Sequence, residues 1–299
     1  MIRGSRGTAL AATAARRRRA ILHAAAAFAL VIAGLAGCSH DLESRAEPSY
    51  TSPDGAIRFW APASWSRRQG RGPTRSWHMR YVAGATAAAE QRHASAVLTA
   101  DFVPERSDQH GATLFRVLLF TTAGYESLAA EPGMPAGTPF AAGGGRVAVA
   151  AIPTLDPYDG GYSSVDYERT RPSLDTLRAA VRLAGAEAGT TAAWGADTVT
   201  YAIRLPAADA PGREVRARFF PDGKATWTTT YFGKGYPIVE KAAWEIRNGD
   251  VTVTFGDVGS GGPAGPLTYA IADSALVPLR WPENAWGVFG APLLVYRPR

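Results

Sequence analysis

The stretch Val215–Phe232 reads VRARFFPDGKATWTTTYF. Val215, Ala217 and Phe219 alternate with Arg216 and Arg218, the period-two pattern of a strand with one wet face. Pro221-Asp222-Gly223 supplies residues suited to a tight reversal. Lys224–Phe232 then runs back, with Trp227 set among threonines, which are good strand formers. Two strands around a short turn make a hairpin.

The pattern repeats downstream. KAAWEIR and VTVTFGD flank Asn248-Gly249-Asp250, and Asn-Gly is a strong signal for a tight hairpin. Trp244 and Ile246 are expected to face Val251, Val253 and Phe255. PLTYAIA and ALVPLRW make another pair around Asp273-Ser274. Consecutive hairpins without a helical stretch predict a meander over 194–299. Closing it into a small antiparallel β-barrel would remove exposed strand edges.

Upstream, the Ala/Gly-rich stretch LAGAEAGTTAAWG, Leu183–Gly195, marks a border. The segment 50–184 mixes strands and helix. Ala56–Pro62 and Ser95–Pro104 are β-rich and end at prolines. Thr113–Ala123 reads as a buried strand, or a short helix running into one. Arg146–Pro153 comes after the glycine turn Gly143–Gly145. Ser163–Ala184 reads as a helix, with Leu174, Leu177, Val181 and Ala184 at helical spacing and Ser173 as N-cap. The fold class is therefore α+β: an N-terminal α/β domain at 50–184, which the resemblance given below makes sandwich-like, then the barrel at 194–299.

The N-terminus has a different character. Arg16–Arg19 form a basic block, Ala20–Ala36 carry no charge, and Leu35-Ala36-Gly37-Cys38 has the pattern of a bacterial lipobox. Basic, apolar, then small is the order of an export signal. We read 1–37 as a lipoprotein signal peptide, Cys38 as the lipidated residue and 38–49 as a tether. The other readings are an uncleaved transmembrane anchor for the apolar run and a coincidental buried cysteine at Cys38. Arg16–Arg19 leave Sec and twin-arginine export both open. Ser39 after Cys38 favours the periplasmic face of the outer membrane. Cys38 is the only cysteine, so disulfides, zinc–thiolate sites and cysteine nucleophiles are excluded from the folded body.

The chain has 32 Lys and Arg against 26 Asp and Glu, and six of the arginines precede Cys38. From Cys38 onward the charges balance, so the basic pI argues for no nucleic-acid partner.

Tyr201–Gly233, YAIRLPAADAPGREVRARFFPDGKATWTTTYFG, resembles the opening of the NlpE-type copper-resistance and envelope-stress lipoprotein domain. There a strand leads into Leu-Pro-Cys-x-x-Cys-x-Gly, then a strand, an Asp-Gly turn and a tyrosine-bearing strand. AAWEIRNGDVTVTF is similar to its Gly-x-Trp strand, turn and β-run, and SALVPLRWPENAWG loosely to its close. The resemblance implies a lipocalin-like barrel, a lipoprotein setting, envelope sensing and copper handling. Ala207 and Ala210 stand at the two cysteine positions, and alanine can neither bind a soft metal nor form a disulfide. Metal and redox chemistry are therefore not expected here. AIRFWAPASW, Ala56–Trp65, similarly resembles the strand–Pro–x–x–Trp entry of Mog1/PsbP-like α/β sandwiches.

Other candidates are weak chemically. His78, His93 and His110 lack ligand spacing. Asp156, Asp159 and Asp166 in DPYDGGYSSVD do not match the calcium-loop spacing and read as a polar turn. No G-x-S-x-G elbow or phosphate loop occurs. Trp227, Trp244, Trp281 and Trp286 read as barrel core and rim rather than a sugar platform. The sequence points to a non-enzymatic envelope lipoprotein without catalytic residues, metal or cofactor. Its partners would be the membrane, through Cys38, and an envelope protein. The alternative is a small apolar ligand in the barrel interior, with a hydrolase as the third class. Trp227, Trp244 and Phe255 filling the interior would favour a protein partner.

Overall fold

Two runs in the first half, ATLFRVLLFT and RVAVAA, are apolar at nearly every position, and such runs need cover on both faces. In the computed structural model they are neighbouring strands inside a sheet. The structure describes residues 47–69, 72–75, 77–104, 110–132, 137–158, 162–185, 194, 196–256, 265–282 and 291–298.

The first half begins with β1 (Tyr50–Thr51), β2 (Ile57–Phe59), a 3-10 turn at Ala63–Trp65 and the hairpin β3 (Ser66–Gln69) and β4 (Gly72–Arg75). Then come β5 (Trp77–Ala83), α1 (Ala85–Glu90), β6 (Ala96–Phe102), β7 (Ala112–Thr121), α2 (Thr122–Ala130), β8 (Thr138–Gly143) and β9 (Arg146–Ala151). It closes with α3 (Tyr162–Thr170), α4 (Leu174–Ala180) and β10 (Val181–Leu183). Five strands form an antiparallel sheet in the order β5-β6-β7-β9-β8, and β1-β2-β10 form a smaller one.

Alternation divides the larger sheet into two buried faces. On one, Leu98, Val117, Leu119 and Ala148 join Tyr167 of α3, Leu177 of α4 and an aromatic group. Phe59, Trp65, Trp77 and Phe115 make up that group, with ring centroids 5.5 to 6.1 Å apart in tilted and edge-on contacts. On the other, Val97, Leu118, Phe120, Val147 and Val149 pack with Tyr125 of α2. These residues belong to the same buried cluster as the second half of the chain.

Two local expectations change. Thr113–Ala123 is a strand running into a helix, because the Thr121 hydroxyl accepts the Gly124 N–H at 3.0 Å and starts α2. Ser163–Ala184 is two helices and a strand. Pro172 lacks an N–H and disfavours helical backbone at Arg171, so α3 stops. Ser173 then caps α4 by accepting from Thr176 at 3.1 Å. Val181, expected on a helix face, opens β10.

The second half comprises β11 (Val199–Leu205), β12 (Arg213–Phe219), β13 (Lys224–Tyr231), β14 (Ile238–Arg247), β15 (Asp250–Phe255), β16 (Leu267–Ile271), β17 (Ala275–Arg280) and β18 (Leu294–Tyr296). Each pairs antiparallel with the next, and β18 returns to β11, closing an eight-stranded barrel. The expected hairpins are present: Trp244 lies opposite Val253, and Ile246 opposite Val251. Asn248 and Gly249 take φ of 54° and 85°, the left-handed backbone of a twisted two-residue turn.

Part of the barrel's outer wall is not wet. Ala202, Ala275, Val277 and Val295 point outward by register yet are buried. Here β17 lies against β8 and α2 against β11. Arg178 donates to the Pro278 carbonyl at 2.7 Å, and Arg297 pairs with Glu126. Pro48–Arg299 accordingly form one compact unit. Among the described residues no helix is long and apolar enough to cross a membrane.

Candidate functional site

The barrel interior is the place to look for a bound molecule, and its inward positions are largely apolar. Ile203, Val215, Ala217, Phe219, Val251 and Val253 alternate inward and are fully buried. Trp227 lies inside, edge-on to Phe255 at 5.7 Å and tilted against Tyr269 at 6.4 Å. At one end Trp194 stacks on Tyr201 at 5.7 Å and meets Phe219 at 4.9 Å and Trp244 at 5.3 Å. The Trp244 ring N–H donates to the Phe220 carbonyl at 2.9 Å, which fixes that ring. Trp194, read from sequence only as the edge of a border, thus belongs to the aromatic packing at this end. Its signal was a lone tryptophan in an Ala/Gly-rich stretch, since a large ring with no local partner needs a distant one.

The other end carries polar groups. Arg213 lies opposite Tyr231, Thr229 opposite Ile238 and Glu240 opposite Trp227, all on inward register and partly open to solvent. Burial pushes the Glu240 carboxyl above its ordinary range. Deeper in, the Tyr269 hydroxyl is buried without a hydrogen-bond partner among the described residues, and burial pushes it up too. The loops of this end are tied together. Lys234 pairs with Asp209, Phe232 N–H donates to the Gly212 carbonyl at 2.9 Å, and the Arg204 guanidinium lies 5.9 Å from the Phe232 ring centre.

Ala207 and Ala210 sit half-buried in the β11–β12 loop. Their methyl groups offer no donor atom where a cysteine pair would stand.

The histidines stay apart. His78 lies 3.5 Å from Asp101, and His93 Nε2 lies 2.8 Å from Glu131. His110 meets Tyr158, whose hydroxyl donates to its backbone carbonyl at 2.8 Å. Among the described residues no group of three or more His, Cys, Asp or Glu converges. Asp156 accepts the Tyr158 N–H at 2.9 Å and the Ser164 hydroxyl, and these bonds hold its carboxyl below the ordinary range. That is the geometry of a polar turn. Asp166 instead pairs with Arg169 along α3 at 3.0 Å. Trp281 packs half-buried against the barrel core. Cys38, Asp159 and Trp286 lie outside the described residues.

The chain matches no protein-family model, no curated protein and no solved structure.

Proposed function

We propose that this protein is a lipid-anchored envelope lipoprotein that acts by binding another envelope component, without catalysis, metal or cofactor. The observation that carries this is the packing of Trp227, Trp244 and Phe255 inside the barrel, together with Phe219, Tyr201 and Tyr269. An interior occupied by aromatic rings leaves the outer surface for recognition. Eight strands in sequential order agree with the NlpE-type, lipocalin-like reading. A sheet with α3 and α4 on one face agrees with the Mog1/PsbP-like reading of the first half. The lipobox at Cys38 supports anchorage in the cell envelope, with Ser39 favouring the outer membrane.

A small-ligand binder is the second reading. The inward Thr229 and Glu240, and the Tyr269 hydroxyl with no hydrogen-bond partner among the described residues, favour it.

Two measurements test the proposal. Palmitate labelling is expected in the full chain and absent in Cys38→Ser. A palmitate label that survives in Cys38→Ser overturns the anchor. Crosslinking in intact envelopes is expected to trap a macromolecular partner. A stoichiometric small molecule extracted from the purified protein would instead establish the ligand-binding reading.

A further inference from the structure

Strands β12–β14 display a face that is neither part of the interior nor buried against the first half. Its outward rows are set by the register. One runs Arg216–Thr228–Val239 and the next Arg218–Thr226–Lys241. Arg204 on β11 lies opposite Glu214, which lies opposite Thr230. Arg204, Arg216, Arg218 and Lys241 are all exposed. Glu214 is the only acid on these rows, and it pairs with Arg216 at 2.7 Å. The face therefore carries four cations against one acid, while the charges from Cys38 onward balance overall, 26 bases to 26 acids. Threonine hydroxyls between the cations add hydrogen-bond donors at the same level.

This face runs into an apolar tip. In the β13–β14 hairpin Tyr236 is 100% exposed and Val239 56%. Val239 shares its row with Arg216, so the apolar and cationic surfaces are continuous. A nucleic acid would use the charges and leave the tip in water. A protein partner would need an apolar pocket for the tip set beside a strip of acids for the rows. An anionic bilayer uses both, because cations meet its headgroups while tyrosine and aliphatic side chains enter the boundary below them.

We propose that this outer face, with the Tyr236 hairpin, docks on an anionic lipid surface. The contact is separate from any acyl chain at Cys38 and does not rest on the anchor reading. It would set the barrel wall flat against the membrane.

The test uses Pro48–Arg299, the compact unit that contains both buried cores and lacks Cys38. It is sedimented with vesicles of phosphatidylcholine alone and of phosphatidylcholine with phosphatidylglycerol. Binding is expected to the anionic vesicles only and to fall as salt is raised. Each basic residue near such a surface is worth a factor of about five in partitioning. The double variant Arg216→Glu, Arg218→Glu is therefore expected to bind at least about tenfold more weakly. Tyr236→Ser with Val239→Ser is expected to weaken binding at high salt as well. All four sites are on the surface, and an unchanged far-UV spectrum confirms that the variants fold. Equal binding to neutral vesicles, no vesicle binding, or binding to heparin or DNA but not to vesicles overturns the proposal.

Discussion

Glu240 is a carboxylate on the inward side of a barrel wall, opposite Trp227, and burial lifts its proton affinity. In the unfolded chain it ionises at lower pH. The folded state therefore holds the proton more tightly between the two pKa values. Stability from this group is complete below the unfolded pKa and is lost as pH rises through the folded one. Glu240→Gln is thus expected to stabilise the protein at pH 8 by less than about 1 kcal/mol, because solvent reaches the carboxyl and screens it. The gain should vanish below pH ~4. Denaturation midpoints at the two pH values check this. An equal gain at both would assign the effect to packing. The inward place of Glu240 was not legible in IVEKAAWEIR, because its alternation breaks where β14 rises clear of β15. Pairing with β15 starts only at Ala242.

At the scale of the element, local chemistry was the most legible part. The Asn248-Gly249 turn, the Pro221–Gly223 turn and the β16–β17 pair all stand where turn residues put them. Such signals need only a few neighbouring residues. The break between α3 and α4 had a signal as well, since Pro172 precedes a good N-cap, but helical periodicity runs on through both sides of it. The cap is testable. Ser173→Ala removes the acceptor for Thr176 N–H and is expected to cost about 1 kcal/mol, read as a fall in thermal midpoint. No change would mean that α4 is held by Leu177 packing alone. Less legible was the burial of two sides of one strand. Tyr201-Ala202-Ile203 and Leu276-Val277-Pro278 are apolar without alternation, and the reason is a second contact outside the barrel. A periodicity argument takes such runs as noise, because the partner is distant in sequence.

At the scale of the molecule, the candidate interior was legible as aromatic core, whereas its Trp194 end was not. The contact between the halves predicts how the barrel behaves alone. A fragment of 194–299 would expose Ala202, Ala275, Val277 and Val295 and lose the bonds from Arg178 and Glu126. It is expected to unfold at lower denaturant than Pro48–Arg299 and to bind a hydrophobic dye. A fragment of equal midpoint would mean that the two halves are thermodynamically independent.

Barrel closure itself depends on the shortest of its strands. β18 has three residues, and two residue pairs join it to β17 and two to β11. Beyond it the Arg297 N–H donates to the Thr200 carbonyl at 2.8 Å. A tensile load on Arg297 directed away from the wall would peel these bonds in succession. The closed wall would then open into a sheet of seven strands with raw edges at β11 and β17. β18 is in this sense a mechanical fuse: the barrel yields first at its seam while the hairpins stay whole.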